Sequence, residues 1–273
     1  MINFQLIKRF LIYKLQKKIN IDKISLDFNK LSIDEIFTYF GCNKATELEE
    51  GKILNLGKSE FNYGSWLFKD SNKKRIIGHG YGKFYEKYLK SFKGRELNIL
   101  EIGSFAGASA ASFVKFFPLA NIYCLDKNLT NFKFISKNIK VFSIDITKKK
   151  MVKDFFHKIN ISKEEKYFDI IIDDASHKLS HMLIALNFFY KNLRPGGFYI
   201  IEDYMEPNHQ KQLYDCQEMK IDEILNCIKN KKKIDSKILN PESFQNILIH
   251  TENVFTHNVD NNKSNIAFIK KLN

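Results

Sequence analysis

The feature that most constrains the fold is a regular alternation of short apolar runs and longer amphipathic segments between residues 96 and 204. The apolar runs are LNILEIG (97–103), NIYCLD (121–126), IKVFSID (139–145), FDIIIDD (168–174) and FYIIEDY (198–204). The segments of helical length between them are 108–117, 131–138, 148–159 and 180–193. The runs are apolar throughout, which is typical of strands covered on both faces. The alternation therefore predicts an α/β fold with a parallel sheet and helices on both sides.

The segments that flank this alternation differ from it. Residues 1–92 show no strand–helix units, and they predict short helices at 2–18, 31–40 and 81–92 with a loop or hairpin between the last two. After the fifth strand, residues 205–248 are polar and mostly helical in pattern. The chain then ends in two strand-like runs joined by a turn at Asp260–Asn262. We therefore expect an N-terminal helical extension, 1–92, that contacts substrate or a second subunit, followed by an α/β domain, 93–273, with a helical insertion at about 205–248.

The formal net charge of +13 at pH 7 suggests a nucleic-acid partner. The chain has only four arginines, however, at positions 9, 75, 95 and 194, so nearly all of the positive charge is lysine. Nucleic-acid grooves favour the planar arginine fork for phosphates and bases. Lysine, asparagine and isoleucine are abundant together, which is typical of an AT-rich coding sequence. We therefore expect no nucleic-acid partner.

The cysteines and the N-terminus indicate the compartment. The cysteines at 42, 124, 216 and 227 form no CxxC pair, which fits a reducing cytoplasm. No apolar run reaches the roughly 20 residues of a membrane span. The first 18 residues mix apolar and basic side chains as a membrane-surface helix does, but a helix packed on its own domain or on a second subunit of a homo-oligomer has the same pattern. We favour the packed helix and a cytoplasmic location.

The first strand ends in a glycine turn, EIGSFAGAS (101–109). A dinucleotide fingerprint GxGxxG that began at Gly103 would need glycines where the chain has Phe105 and Ala108, so a pyrophosphate ligand is disfavoured. The turn suits a cofactor with an amino acid end, because Glu101 can reach an ammonium group and the bare backbone of Gly103 permits close approach. The other residues of the turn assigned to this cofactor are Ser104, Gly107 and Ser109.

Acids end the following strands in order. Asp126 ends the second strand, where a carboxylate can accept both ribose hydroxyls. Asp145 ends the third strand and could face an adenine amino group, and Asp173 of the fourth strand is assigned to the same cofactor. Each acid alone could equally cap a strand end. Together with the glycine turn and LRPGG (193–197), however, the series resembles the class I S-adenosylmethionine-dependent methyltransferases.

That resemblance implies a Rossmann-like, seven-stranded methyltransferase sheet that is mostly parallel, with the last strand antiparallel. It implies S-adenosyl-L-methionine as the cofactor, and it makes 93–273 the methyltransferase domain.

A second acidic group follows the fourth and fifth strands. If those strands are neighbours, about 4.8 Å apart, their carboxyl ends bring Asp174, Glu202 and Asp203 together. Three carboxylates at close range cannot all ionise without a cation. Oxygen ligands with open positions suit Mg²⁺. His177 would stand at the start of the next helix, beside this group.

The Asp-x-x-His and Glu-Asp pairing resembles the metal-dependent sugar O-methyltransferases of the macrocin and mycinamicin type. The resemblance implies that Asp174, Glu202 and Asp203 bind the metal and that His177 is the general base. Upstream, IDEIFTYFGCNKA (33–45) is similar to that family's YGTDK segment, with Cys42 and Asn43 replacing Thr and Asp. HGYGKFYEKY (79–88) is similar to its H-x-Y-x-x-x-Y-E helix.

The predicted function is thus O-methylation of a hydroxyl on a sugar or glycan-precursor small molecule, dependent on S-adenosylmethionine and Mg²⁺, with Asp174 and His177 as catalytic residues. An RNA methyltransferase that uses the lysine-rich surface is the alternative, but it would usually carry NPPY or DPPY where this chain has DDASH. Two further alternatives concern the histidines. His177 and His181 could form a zinc pair at i, i+4, or His177 could cap the helix while the acids bind lysines. A cofactor-binding module without activity and an NAD oxidoreductase also remain open.

Overall fold

The structure is a computed structural model that describes residues 4–49, 68–69, 75–162, 165–259 and 264–273. The turn predicted at Asp260–Asn262 lies outside these residues. The described strands are β1 (Ile19–Asn20), β2 (Glu47–Glu49), β3 (Phe68–Lys69), β4 (Arg75–Ile77), β5 (Leu97–Ile102), β6 (Ala120–Asp126), β7 (Phe134–Ile135), β8 (Ile139–Ser143), β9 (Phe168–Asp173), β10 (Leu193–Glu202), β11 (Thr251–Asn258) and β12 (Asn265–Lys271). The described helices are α1 (Phe4–Leu15), α2 (Ile33–Phe40), α3 (Gly82–Leu89), α4 (Ala108–Phe116), α5 (Lys149–Lys158), α6 (Leu179–Phe189), α7 (Glu206–His209), α8 (Ile221–Lys229) and α9 (Pro241–His250).

One seven-stranded sheet organises the molecule, in the order β11-β12-β10-β9-β5-β6-β8. The pairs β5–β6, β5–β9, β6–β8 and β9–β10 are parallel, and β12 lies antiparallel between β10 and β11. The Rossmann-like sheet with an antiparallel last strand is thereby confirmed. The strand order reverses beside β5, and in such sheets ligands bind outside the carboxyl ends of the strands at that point.

Both faces of the sheet are covered by helices. Ile170 and Ile172 of β9 belong to a core cluster with residues of α2, α3 and α4, whereas Ile171 belongs to a second cluster with α5, α6, α8 and α9. This division follows from the strand geometry, because successive side chains of a strand point to opposite faces. The helices α2 and α3 of the N-terminal region are therefore part of the same core as the sheet, and they bring their loops to its edge.

The prediction of a helix at 131–138 is wrong. In its place a 3-10 turn (Leu129–Asn131) is followed by β7, which pairs with β1 in parallel. The cause is tertiary: the Phe132 ring lies beneath the glycine turn, where a Cβ on Gly107 would come within 2.7 Å of it. The Lys133 amide donates to the Ala106 carbonyl, which ties this segment to the same turn. The remaining predicted helices and strands within the described residues are present, with ends shifted by a few residues.

Helix α1 packs on the domain through its C-terminal end. The Gln16 side chain donates to the Phe132 carbonyl at 2.7 Å, and Tyr13 contacts the core. Its opposite side exposes Leu11, Ile12 and Leu15. Among the described residues, no helix has the length and apolar character needed to cross a bilayer.

Candidate active site

Asp174, Glu202 and Asp203 come together at the carboxyl ends of β9 and β10, as the sequence predicts. The register pairs Asp173 with Ile201, so the next residue of each strand lies at the same edge. A lysine joins two of the acids: the Lys44 Nζ lies 2.5 Å from Asp174 Oδ2 and 2.7 Å from both carboxylate oxygens of Glu202. Lys44 therefore bridges the ends of two neighbouring strands.

Lys44 is 1% exposed and is a member of the site that the sequence interpretation missed. Burial opposes its charge, but Asp174 and Glu202 outweigh that effect and raise the pKa of Lys44 well above its ordinary value. The alternative in which acids bind a lysine is thus observed for these two acids. The available signal was the similarity of 33–45 to YGTDK, because Lys44 is the lysine of that segment.

Glu202 is 2% exposed, and both of its oxygens are engaged. Besides the two contacts with Lys44, it accepts a hydrogen bond from the Tyr85 hydroxyl. Burial and the neighbouring Asp174 raise the pKa of Glu202, and Lys44 opposes this rise. Tyr85 belongs to the segment similar to the H-x-Y-x-x-x-Y-E helix, so that segment contacts the acids directly.

Asp203 has a different set of partners. The Tyr81 hydroxyl donates to its Oδ1 at 2.5 Å, and the His79 Nδ1 lies 3.2 Å from its Oδ2. Burial raises the pKa of Asp203, but His79 and the hydrogen bonds outweigh it and bring the pKa to about 2. The pKa of His79 is raised, because Asp203 overcomes the effect of burial. The backbone of Asp203 has φ of 50°, a strained conformation for a residue other than glycine.

His177 lies just before α6, also with positive φ, 53°. Its Nε2 is 3.8 Å from Asp174 Oδ1 and 4.0 Å from Asp203 Oδ2. The helix-capping alternative is wrong, because the residue at the N-cap position of α6 is Lys178. The zinc alternative placed both histidines on one helix face, and that placement is wrong, because His177 precedes α6. The His181 Nδ1 is bonded to the Ser176 hydroxyl at 2.6 Å.

A divalent ion fits between the acids that Lys44 does not fully engage. Asp174, His177 and Asp203 each offer one ligand atom, and these three atoms lie within 4.8 Å of one another. Within the described part of the chain Glu202 does not belong to this group, since its oxygens contact Lys44 and Tyr85. The donors are carboxylate oxygens beside one imidazole, a set that suits a hard ion such as Mg²⁺ or Mn²⁺.

The glycine turn lies against the same strand ends. Gly103 has φ of 91°, and a Cβ there would come within 2.0 Å of the Asp174 carbonyl and 2.5 Å of the Ala175 Cα. We expected the bare backbone of Gly103 to admit a cofactor. On the side where a Cβ would stand it admits the end of β9 instead. The turn and the acidic group are consequently held in one fixed arrangement.

Glu101 is a buried acid near the carboxyl end of β5. It is 1% exposed, and neither of its oxygens has a hydrogen-bond partner among the residues described. The Ser109 hydroxyl, 7% exposed as a residue, likewise has none within that part of the chain. Burial raises the pKa of Glu101, although Lys44 and the nearby serine hydroxyls act in the opposite direction. An unpartnered buried carboxylate is costly, so this site fits a cofactor that brings a cation.

Asp126 and Asp145 have local partners. The Asp126 carboxylate accepts from the Phe105 amide at 2.9 Å and the Asn128 amide at 2.8 Å, so it holds the glycine turn. Burial raises its pKa. Asp145 accepts from the Thr147 amide at 3.0 Å and hydroxyl at 2.6 Å. Burial opposes ionisation of Asp145, but the Thr147 bonds outweigh it and lower the pKa. Their roles toward ribose and adenine stay predictions.

Asp173 points away from Glu101. The register pairs Asp173 with Ile102 and Glu101 with Ile172, so the two acids face opposite sides of the sheet. Asp173 is 2% exposed, and its Oδ2 has no partner within the described residues. Burial raises its pKa well above the ordinary value. The assignment of Asp173 to the cofactor stays a prediction.

Comparison with known proteins shows similarity to O-methyltransferases. The chain is 26% identical over 133 residues to mycinamicin VI 2''-O-methyltransferase of Micromonospora griseorubida, which covers 46% of this chain and 31% of that enzyme. It is 28% identical over 136 residues to L-olivosyl-oleandolide 3-O-methyltransferase of Streptomyces antibioticus, covering 46% and 32%. Demethylmacrocin O-methyltransferase of Streptomyces fradiae is 26% identical over 132 residues, covering 46% and 32%. No protein-family model matches the chain.

The fold has a solved counterpart. The MycE methyltransferase of the mycinamycin biosynthetic pathway, solved in complex with Mg, SAH and mycinamycin VI, superposes with a TM-score of 0.56. The match is 18% identical in sequence and covers 89% of this chain and 55% of that one. The chain thus matches about a third of the length of the curated relatives and about half of this structure. The class I methyltransferase fold and the resemblance to macrocin- and mycinamicin-type enzymes are confirmed.

Proposed function

We propose that this protein transfers a methyl group from S-adenosyl-L-methionine to a hydroxyl of a sugar or sugar-bearing small molecule, with the help of a divalent metal ion. One observation carries the proposal: buried Glu101, whose carboxylate has no hydrogen-bond partner among the described residues, lies at the same edge of the sheet as the group Asp174, His177 and Asp203. The first is suited to a cationic donor and the second to a metal-bound acceptor. The names of the similar proteins describe O-methyltransferases that act on glycosylated natural products.

The cofactor half is built from the glycine turn and the acids that follow it. Glu101 binds and orients the ammonium group of the cofactor, and Asp126 accepts the ribose hydroxyls with the lone pairs that the turn amides leave free. Asp145 faces the adenine. The turn takes its shape from Gly103, Ser104, Gly107 and Ser109. Asp173 supports the turn from the opposite face of the sheet. S-adenosylmethionine supplies an electrophilic methyl group when bound.

The acceptor half is built from Asp174, Asp203 and His177. Glu202, which the sequence suggested as a further metal ligand, lies beside them with both oxygens on Lys44. The metal ion, when bound, lowers the pKa of the acceptor hydroxyl and orients it. His177 takes the hydroxyl proton at Nε2, as a general base placed beside both carboxylates. The acceptor oxygen would then attack the methyl carbon, and the C–S bond would break as the O–C bond forms, with S-adenosylhomocysteine as the leaving group. Since this step neutralises opposite charges, the exclusion of water and correct placement control its rate.

We assign substrate choice to the N-terminal region 1–92 and to the insertion 205–248, which lie outside the repeating strand–helix units. The four cysteines are free, which agrees with action in a reducing cytoplasm. A homo-oligomer would use the exposed side of α1.

Methyl transfer from labelled S-adenosylmethionine to a panel of nucleotide sugars, glycosides and RNA tests the proposal. We expect transfer to sugar hydroxyls that is lost after treatment with EDTA and in His177→Ala, while S-adenosylhomocysteine (SAH) still binds to the variant. His157→Ala, at an exposed histidine of α5, is the matched control. Full transfer after both treatments would refute the metal and histidine roles. Transfer to RNA alone would favour the alternative function.

A further inference from the structure

The proposed mechanism leaves one buried cation at the site without a role, the ammonium group of Lys44. It is 1% exposed and bonded to Asp174 and Glu202, residues 130 and 158 positions away in the chain. A surface lysine that happened to reach an acid would keep part of its ammonium in water. The Lys44 ammonium group is enclosed by protein, so we infer that its position is part of the structure of the site.

The backbone around Lys44 is also fixed. The His79 amide donates to the Asn43 carbonyl at 2.7 Å, and the Tyr81 amide donates to the Lys44 carbonyl at 2.9 Å. A Cβ on Gly78 would come within 2.1 Å of the Ala45 carbonyl, so the two segments lie in direct contact there. The loop after α2 and the start of α3 are thus joined, and the same pairing places Lys44 and Tyr81 against the acids.

The contacts of Lys44 divide the acids into two groups. Both oxygens of Glu202 face Lys44, and Tyr85 donates to one of them. Asp174 gives Oδ2 to Lys44 but directs Oδ1 toward His177, 3.8 Å away. Asp203 makes no contact with Lys44 in the structure, and its Oδ2 lies 4.0 Å from His177. The oxygens that face His177 therefore come from Asp174 and Asp203.

From this division we propose that Lys44 is a positioning residue that holds Glu202 away from the metal ion. The ion of the proposed function, on which this inference rests, is then bound by Asp174 and Asp203, and the Lys44 ammonium neutralises Glu202. One ammonium and one divalent ion together carry three positive charges, which balance the charges of the three carboxylates. Glu202 acts on the ion through Asp174 and Lys44 and not as a ligand.

The test is calorimetric titration of MnCl₂ into the full chain loaded with SAH, for the wild type, Lys44→Met, Glu202→Gln and the double variant. Removing Lys44 alone removes a repelling charge and frees Glu202, so we expect the Mn²⁺ dissociation constant to fall by about tenfold or more. Removing Glu202 alone should raise it. The double variant removes the pair together and keeps the net charge, so we expect it to bind Mn²⁺ within about threefold of the wild type.

If Glu202 is itself a ligand, the double variant will lose at least about tenfold in Mn²⁺ affinity, which would overturn the inference. The matched control is Lys271→Met, because Lys271 is 2% exposed and donates to the Leu193 carbonyl, at the opposite end of β10. It should leave the Mn²⁺ dissociation constant unchanged. Binding of SAH reports that each variant is folded, and the charge-balanced double variant remains informative if Lys44→Met does not fold.

Two outcomes separate the inference from the function on which it rests. A wild-type protein that binds SAH but no Mn²⁺ would overturn both the metal role and the inference, and would leave the cofactor assignment standing. A wild-type protein that binds Mn²⁺ with the expected pattern of variants but no SAH, even when SAH is added in excess, would support the inference and contradict the proposed methyl transfer.

Discussion

Glu101 and Glu202 are two buried glutamates on the same face of one sheet, and their surroundings are opposite. They are 1% and 2% exposed, and each lies at the carboxyl end of its strand. Glu202 contacts Lys44 and Tyr85, whereas Glu101 has no hydrogen-bond partner among the described residues. Burial alone therefore does not decide how a carboxylate is compensated. Within the described residues, Lys44 supplies a cation to Glu202, whereas we propose that a bound ligand supplies one to Glu101.

The difference has a physical reason. A buried carboxylate without a partner costs several kcal/mol, so the chain tolerates it only where binding returns that energy. A sulfonium cofactor with an amino acid end can do so at Glu101. At Glu202 the acceptor is a neutral hydroxyl, which brings no charge of its own, so the chain provides Lys44. A cluster of residues with strongly shifted pKa values is typical of functional sites.

The largest effect is expected for Lys44→Met. This change leaves Asp174 and Glu202 without their buried cation, so the free energy of unfolding should fall by about 3–5 kcal/mol. Urea denaturation followed by circular dichroism measures it. The double variant with Glu202→Gln should recover most of the loss. A loss below about 1 kcal/mol in Lys44→Met would show that Glu202 depends no more on a buried cation than Glu101 does.

Glu101→Gln should act in the opposite sense on stability. It removes an uncompensated buried charge, so the unfolding free energy should stay the same or rise by about 1–2 kcal/mol. The affinity for SAH should fall about tenfold or more, because a charge-assisted hydrogen bond to the ammonium group is lost. Urea denaturation and calorimetric titration measure the two quantities. A destabilised variant with unchanged affinity would mean that Glu101 is a structural acid.

Proton release on cofactor binding is a smaller and more specific effect. Burial raises the pKa of Glu101 in the free protein, and a bound ammonium group would lower it again. Because a falling pKa releases protons, SAH binding should release part of a proton at pH values between the pKa of Glu101 in the complex and its raised pKa in the free protein. Titrations in buffers with different ionisation enthalpies measure this number, which should fall toward zero in Glu101→Gln. Proton uptake in the wild type would contradict the assignment.

Lys271 is a second buried lysine, and its surroundings differ from those of Lys44. Unlike Lys44 it donates to a carbonyl, and burial with the nearby Lys166 lowers its pKa from 10.5 to about 7. The unfolded chain then binds more protons than the folded one between these values, so this residue's contribution to stability rises with pH from about 7 toward 10.5. Thermal melting at pH 7 to 9 should show this rise in the wild type and a weaker one in Lys271→Met. Identical pH profiles would contradict it.

The fold was predictable wherever local pattern and tertiary packing agree. The strands from Leu97 onward are continuous apolar runs, and their order along the chain predicts the parallel sheet with acids at one edge. Residues 131–138 are the exception, because the packing of the Phe132 ring beneath the glycine turn outweighs the helical propensity of the segment. Propensity describes the segment alone, whereas this contact involves a residue 25 positions earlier in the chain (132 − 107).

The site was predictable only in part. The sequence places Asp174, Glu202 and Asp203 at neighbouring strand ends, since strand ends follow from the hydrophobic pattern. It does not show that Lys44 reaches them, because that contact spans 130 residues and comes from a region without repeating units. The positive φ of His177 and Asp203 is equally hidden, since neither residue type requires it and only the surrounding contacts impose it.

A crystal structure of the protein with SAH and Mn²⁺, with the metal located by its anomalous signal, tests the central claim most directly. We expect SAH on the glycine turn with its amino group within reach of Glu101, and a manganese peak bound by Asp174 and Asp203 while Lys44 remains on Glu202. SAH bound elsewhere, with Glu101 still unpartnered, or manganese bound at a different edge of the sheet, would contradict it.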